Sequence, residues 1–152
     1  MADSQTTTVG ARPALVCVDP GDRANAVTAA LTELGYAAEA AGGAADAIDR
    51  MRKTAYEVVV VDETYEGASP LDNAVLKALG AMAMPIRRYM FVALLGADVK
   101  TLDNGTAFSR SVNAVVNVDD LGQLAGILRR AIADNDAFYR VFREVLAAAG
   151  KR

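Results

Sequence analysis

Five short apolar runs alternate with stretches of helical periodicity along the chain. The first, Ala14–Val18, is ended by Asp19, Pro20 and Gly21 and reads as a buried strand. Asp22 is placed to cap a helix running to Leu34, because Val27, Ala30, Leu31 and Leu34 share one face, and Gly35 stands where such a helix stops. Tyr36–Ala40 is a weaker strand, followed by Gly42 and Gly43. A second helix is predicted over Ala44–Lys53, with Ala47, Ile48 and Met51 on its apolar side. Tyr56–Val61 is the clearest strand, since four consecutive valines suit a parallel strand buried on both faces. A loop over Glu63–Pro70 leads to a helix predicted over Leu71–Met82. Tyr89–Leu95 is the next strand, stopped by Gly96; Leu102–Phe108 has room for a short helix, and Val112–Val118 is the last strand.

Strand and helix therefore alternate through five units. That order predicts the α/β class: a flavodoxin-like, doubly wound, five-stranded parallel sheet with an extended C-terminal helix. Three parts are expected: a Thr-rich, disordered lead-in (1–13), the α/β domain (14–133) and a C-terminal helical extension (134–152). In such sheets chemistry gathers at the carboxyl ends of the strands. Those ends carry Asp19, Asp62, Leu95 with Gly96, and Asn117.

From Leu121 onward a heptad recurs through Leu124, Leu128, Ala131, Asn135, Phe138, Phe142, Val145 and Ala149. One long helix that dimerises would use Leu128, Asn135, Phe138, Tyr139 and Phe142, with Asn135 fixing the register. The competing reading is a break, because Asp134, Asn135 and Asp136 form a good N-cap signal for a separate short helix. Both stay open at this level. Arg87, Arg88 and Tyr89, after Met82, Met84 and Pro85, form a second stretch compatible with either a binding surface or core filling.

Composition narrows the function more than it names it. The chain has 152 residues, 53% of them hydrophobic, which suits one domain with one core. A net charge of −3 gives no basic stripe for nucleic acid. There is no histidine, which removes imidazole metal sites, Ser-His-Asp and Cys-His dyads and histidine phosphotransfer. The one cysteine, Cys17, lies inside an apolar run and reads as inert packing. Neither a signal peptide nor an apolar stretch of roughly 18 residues is visible, so a cytoplasmic protein without a membrane span is expected. No Gly-rich phosphate loop follows the first strand, and Asp19-Pro20-Gly21 would cradle a phosphate poorly.

The segments ALVCVDP, LGYAAEAAGGAADAIDRM and YEVVVVDETYEG, in this order, resemble the bacterial response-regulator receiver family, and the likeness runs from about Ala14 to Arg130. The resemblance implies a phosphoacceptor aspartate, Mg²⁺ held by acidic residues, a lysine on the phosphoryl oxygens, and a Ser or Thr coupled to an aromatic switch residue. Asp62 matches the acceptor and Asp19 the first metal-binding acid, while the second acid falls on Pro20. With an ungapped match, the Ser/Thr position falls on Leu95, the aromatic on Ala114 and the lysine on Asn117. Glu63 and Glu66 make an acidic cluster with Asp19 and Asp62, read either as an acidic pocket (Asp19, Glu63) with weak Mg²⁺ binding at Asp19 and Asp62 or, in the favoured reading, as a solvated loop; no other cofactor or metal is expected. Asp62 also has a purely structural reading, as a cap on the loop that follows its strand.

The resemblance, thinned in this way, implies a degenerate pseudo-receiver: a phosphorylation-independent protein-interaction and signalling module, not an enzyme. Its expected partner is another protein or a second copy held by the C-terminal helix, with no nucleic acid and no membrane. Two other readings stand beside it. One is a conventional response regulator phosphorylated on Asp62 by a histidine kinase. The other is a small doubly wound enzyme or nucleotide binder.

Overall fold

The computed structural model describes residues 12–69 and 72–149. Most of the expected lead-in lies outside these residues, but its last two, Arg12 and Pro13, already belong to the first strand. The strands are β1 (Arg12–Cys17), β2 (Tyr36–Ala40), β3 (Val58–Asp62), β4 (Phe91–Gly96) and β5 (Ala114–Asn117). They form one sheet in the order β2-β1-β3-β4-β5, and every neighbouring pair is parallel. This is the flavodoxin-like order, whose switch point lies between β1 and β3.

The helices are α1 (Asp22–Glu33), α2 (Ala44–Lys53), α3 (Ala74–Gly80), α4 (Met84–Arg87), α5 (Asn104–Ser109) and α6 (Leu124–Ala148). Alternation along the strands sends side chains to two cores. Leu15, Cys17, Val59, Val61, Val92, Leu94 and Val115 pack with residues of α2, α3 and α5. Ala14, Val16, Val58, Val60, Ala93, Leu95 and Val116 pack with residues of α1 and α6, including Leu31, Leu124 and Leu128. The valine run is buried throughout because each face of β3 meets its own helical layer.

Several boundaries differ from the sequence pattern for local reasons. Gly21, not Asp22, holds the N-cap position of α1; its φ of 144° suits glycine, and no side chain caps this helix. Gly35, at φ 93°, follows α1 and closes it as expected. The predicted start of the next helix, Leu71, lies outside the described residues, and α3 begins at Ala74 because the Asn73 side chain accepts from the Leu76 amide at 3.1 Å. The C-terminal region is one unbroken helix, so Asp134, Asn135 and Asp136 do not cap a second one.

Candidate functional site

The carboxyl ends of β1 and β3 bring Asp19, Asp62, Glu63 and Glu66 to one pole of the sheet. The four carboxylates do not pool there; each is taken by a different donor. Asp62 ends β3 with its side chain 6% exposed. Its Oδ1 accepts from the Thr64 amide at 2.9 Å and the Thr64 hydroxyl at 2.8 Å, the Asx-turn expected of a structural aspartate. Its Oδ2 accepts from Arg23 Nη1 at 2.9 Å. Arg23 reaches it from the first turn of α1, which the short Asp19–Gly21 turn swings over the end of β3.

The remaining acids have partners of their own. Glu63 is buried and receives Arg110 Nη1 at 3.1 Å. Its other oxygen lies against Gly96, where a β-carbon would approach it to 2.7 Å, so a glycine at the top of β4 makes room for this pair. Glu66 adopts a left-handed backbone, φ 58°, which turns its amide onto Asp19 at 3.0 Å and lets its carboxylate accept from the Ala44 amide at 2.9 Å. That last contact places negative charge at the start of α2, where the helix dipole favours it. Tyr65, buried beneath them, has its phenol raised to about 12 by burial and then by the neighbouring Cys17, Glu66 and Asp19.

The four carboxylates are thus held by separate partners. Among the described residues no three acidic side chains converge to hold a metal ion. Mg²⁺ at Asp19 and Asp62 does not fit the residues present: Pro20 offers no oxygen, Asp19 is engaged by Glu66, and a guanidinium faces Asp62. Removal of Asp62's negative charge from water is offset by Arg23 instead.

Leu95, Ala114 and Asn117, the positions that the resemblance matched to the switch residues and the lysine, have structural duties. Leu95 is fully buried in the core beneath α1 and α6, so it offers nothing to the pole; Gly96, one residue on, faces Glu63. Ala114 lies in the same core, paired with Ala93. Asn117 donates to the carbonyls of Ala97 at 3.2 Å and Val99 at 2.7 Å, and accepts from the Asp119 amide at 2.8 Å. It thereby stitches the loop after β4 to the end of β5.

Two residues that the pattern did not reveal organise the pole. Arg23 carries no local signal, because its partner lies 39 positions away. Asn73 is 2% exposed and donates to the carbonyls of Asp62 at 3.0 Å and Glu63 at 3.1 Å, fixing the end of β3 to the start of α3. An Asn just before an apolar periodic run was a readable cap signal, but its second task was not.

The architecture decides the structural likeness. The chain has the response-regulator receiver fold. A CheY-like receiver domain protein from Methanospirillum hungatei superposes with a TM-score of 0.62 at 13% identity, covering 84% of this chain and 98% of that one. A response regulator from Thermotoga maritima gives 0.60 at 19% identity, covering 81% and 98%. NtrX from Brucella abortus, solved in complex with ADP, gives 0.63 at 18% identity and covers 93% of this chain, which spans only 30% of NtrX. No protein-family model and no curated protein matches the sequence. At these identities the receiver fold is what is shared.

The residues predicted to form an interface separate into two groups. Leu128 is fully buried in the receiver core, so it belongs to the domain's own packing rather than to an interface. Asn135 is half-buried and accepts from Asn113 Nδ2 at 3.4 Å, which ties α6 to the start of β5. Phe138, Tyr139 and Phe142 stand beyond it, their rings in successive edge-to-face contacts at 5.4 and 6.2 Å. Arg87 is likewise structural: it donates to the carbonyls of Met90 and Ser111 and to Asn113 Oδ1, and burial pulls its guanidinium below its ordinary value. Among the described residues no helix is long and apolar enough to cross a membrane.

Proposed function

We propose that this receiver fold serves as a signalling and interaction module that works without phosphorylation of Asp62. The observation that carries the reading is the Arg23–Asp62 pair at 2.9 Å, with Asp62 6% exposed. A phosphoacceptor must present a free carboxylate oxygen to an incoming phosphoryl group, with cations arranged on the transferring oxygens. Here both oxygens of Asp62 are already engaged by Arg23 and Thr64. The position matching the phosphoryl-binding lysine is an asparagine directed at loop carbonyls, and the switch positions are apolar core. Each charge-assisted hydrogen bond absent from a transferring phosphoryl group costs about 1.5–3 kcal/mol.

In this reading the pole is a fixed structural knot, and information is exchanged through surfaces. Incubation with a small-molecule phosphodonor and Mg²⁺, followed by intact-mass and peptide analysis, is expected to give no adduct on Asp62. Stoichiometric phosphate on Asp62, from a small donor or from a histidine kinase, would restore the conventional response-regulator reading.

A further inference from the structure

At the opposite pole, α6 outruns the sheet. It has 25 residues, about 37 Å at 1.5 Å per residue, whereas a six-residue strand spans about 20 Å. Roughly half of α6 therefore projects past the amino ends of the strands. The angle between helix and sheet edge is a groove of about 570 Å³, lined by Tyr36, Tyr89, Met90, Tyr139, Phe142 and Leu146, among others. On the adjoining face of the same helix, Phe138, Val141, Phe142 and Val145 are 64, 58, 40 and 60% exposed. At 100° per residue these four fall within one arc, and Phe142 belongs to both faces.

We infer that this projecting half of α6 packs antiparallel against the same segment of a second copy, the Phe138–Val145 stripe of each copy entering the groove of the other. One helix supplies both ridge and groove wall, so a two-fold axis near Phe142 covers both faces at once. The exposed stripe amounts to on the order of 400 Å² per copy, taking about 200 Å² for an aromatic side chain and less for valine. Doubled by symmetry and joined by the groove walls, it approaches the lower end of the roughly 1,200–2,000 Å² of a stable interface. Antiparallel packing about this axis also leaves the two sheets at opposite ends of the paired helices, whereas parallel packing would bring them side by side at one end.

Other occupants fit less well. A small ligand would fill the groove and leave Phe138, Val141 and Val145 in water. Residues 1–11 contain only Met1 and Val9 as large apolar side chains.

Solution mass of the full chain, measured against concentration, tests the inference. A rise toward twice the 15.9 kDa chain mass is expected, and it is lost in a Phe138→Glu/Val145→Glu variant whose circular dichroism is unchanged. Under oxidation, Phe142→Cys is expected to cross-link to its copy and Phe138→Cys is not. A monomer at every concentration overturns the inference, including one that dimerises only after residues 1–11 are removed. So does a dimer that survives the double substitution, or one that cross-links at position 138. The result does not depend on the state of Asp62, so phosphorylation there would leave it standing.

Discussion

Truncation of Arg23 to alanine would leave the Asp62 carboxylate without the guanidinium that faces it at 2.9 Å. Two limits bracket the cost. Removing one partner of a fully buried pair costs about 3–5 kcal/mol, while an exposed pair is worth about 0–1 kcal/mol. Asp62 sits near the first limit, its side chain 6% exposed, but the Arg23 side chain is 45% exposed, so truncation also admits water. Thr64 keeps its two hydrogen bonds to Oδ1. The expected loss is therefore about 1–2 kcal/mol, or roughly 3–6 °C in Tm for a chain of this size. The assay is thermal unfolding of wild type, Arg23→Ala, Asp62→Asn and the double variant. If an uncompensated charge is the cause, the double variant loses less than the sum of the single ones, with a coupling of about 1 kcal/mol. Strictly additive losses, or an Arg23→Ala variant as stable as wild type, would refute the reasoning and remove the main support for a neutralised pole.

Three further outcomes follow from the same structure. Asn73→Ala should cost about 2–4 kcal/mol in denaturant unfolding, since it removes a helix cap and the donor to two carbonyls, and Asn73→Asp should cost at least as much, because it keeps the cap oxygen but sets a buried carboxylate oxygen against both carbonyls. Leu128→Ala should cost about 2–5 kcal/mol through a core cavity, while Phe138→Ala should change monomer stability by less than about 0.5 kcal/mol; equal losses would contradict the division of α6 into a packed and a projecting half. Burial raises the Cys17 thiol to about 12, so it should resist thiol reagents in the native state and react on unfolding. Because the folded value is raised, the neutral thiol is tolerated below the ordinary thiol range, and stability is lost as pH rises from there toward 12, measurable as a falling Tm.

Much of the receiver fold was legible because it rests on short-range signals. The valine run fixed β3 as a strand buried on both faces, Gly35 marked the end of α1, and the alternation of elements set the parallel sheet and its carboxyl-end pole. The same pattern placed Asp62 at the carboxyl end of β3. Pairings between distant positions were not legible. Nothing local distinguishes Arg23 from any other exposed helical arginine, and Glu63 and Glu66 read as members of an acidic cluster until folding turned one to Arg110 and the other to the start of α2. The heptad of the last helix was equally ambiguous, since Leu128 and Phe138 occupy equivalent kinds of position in it. Only the length of the sheet decided that the first meets the core and the second projects past it. Sequence periodicity determines which face of an element is apolar; where each face ends up, and which charges meet, depends on how far the neighbouring elements extend, and that is a property of the folded structure.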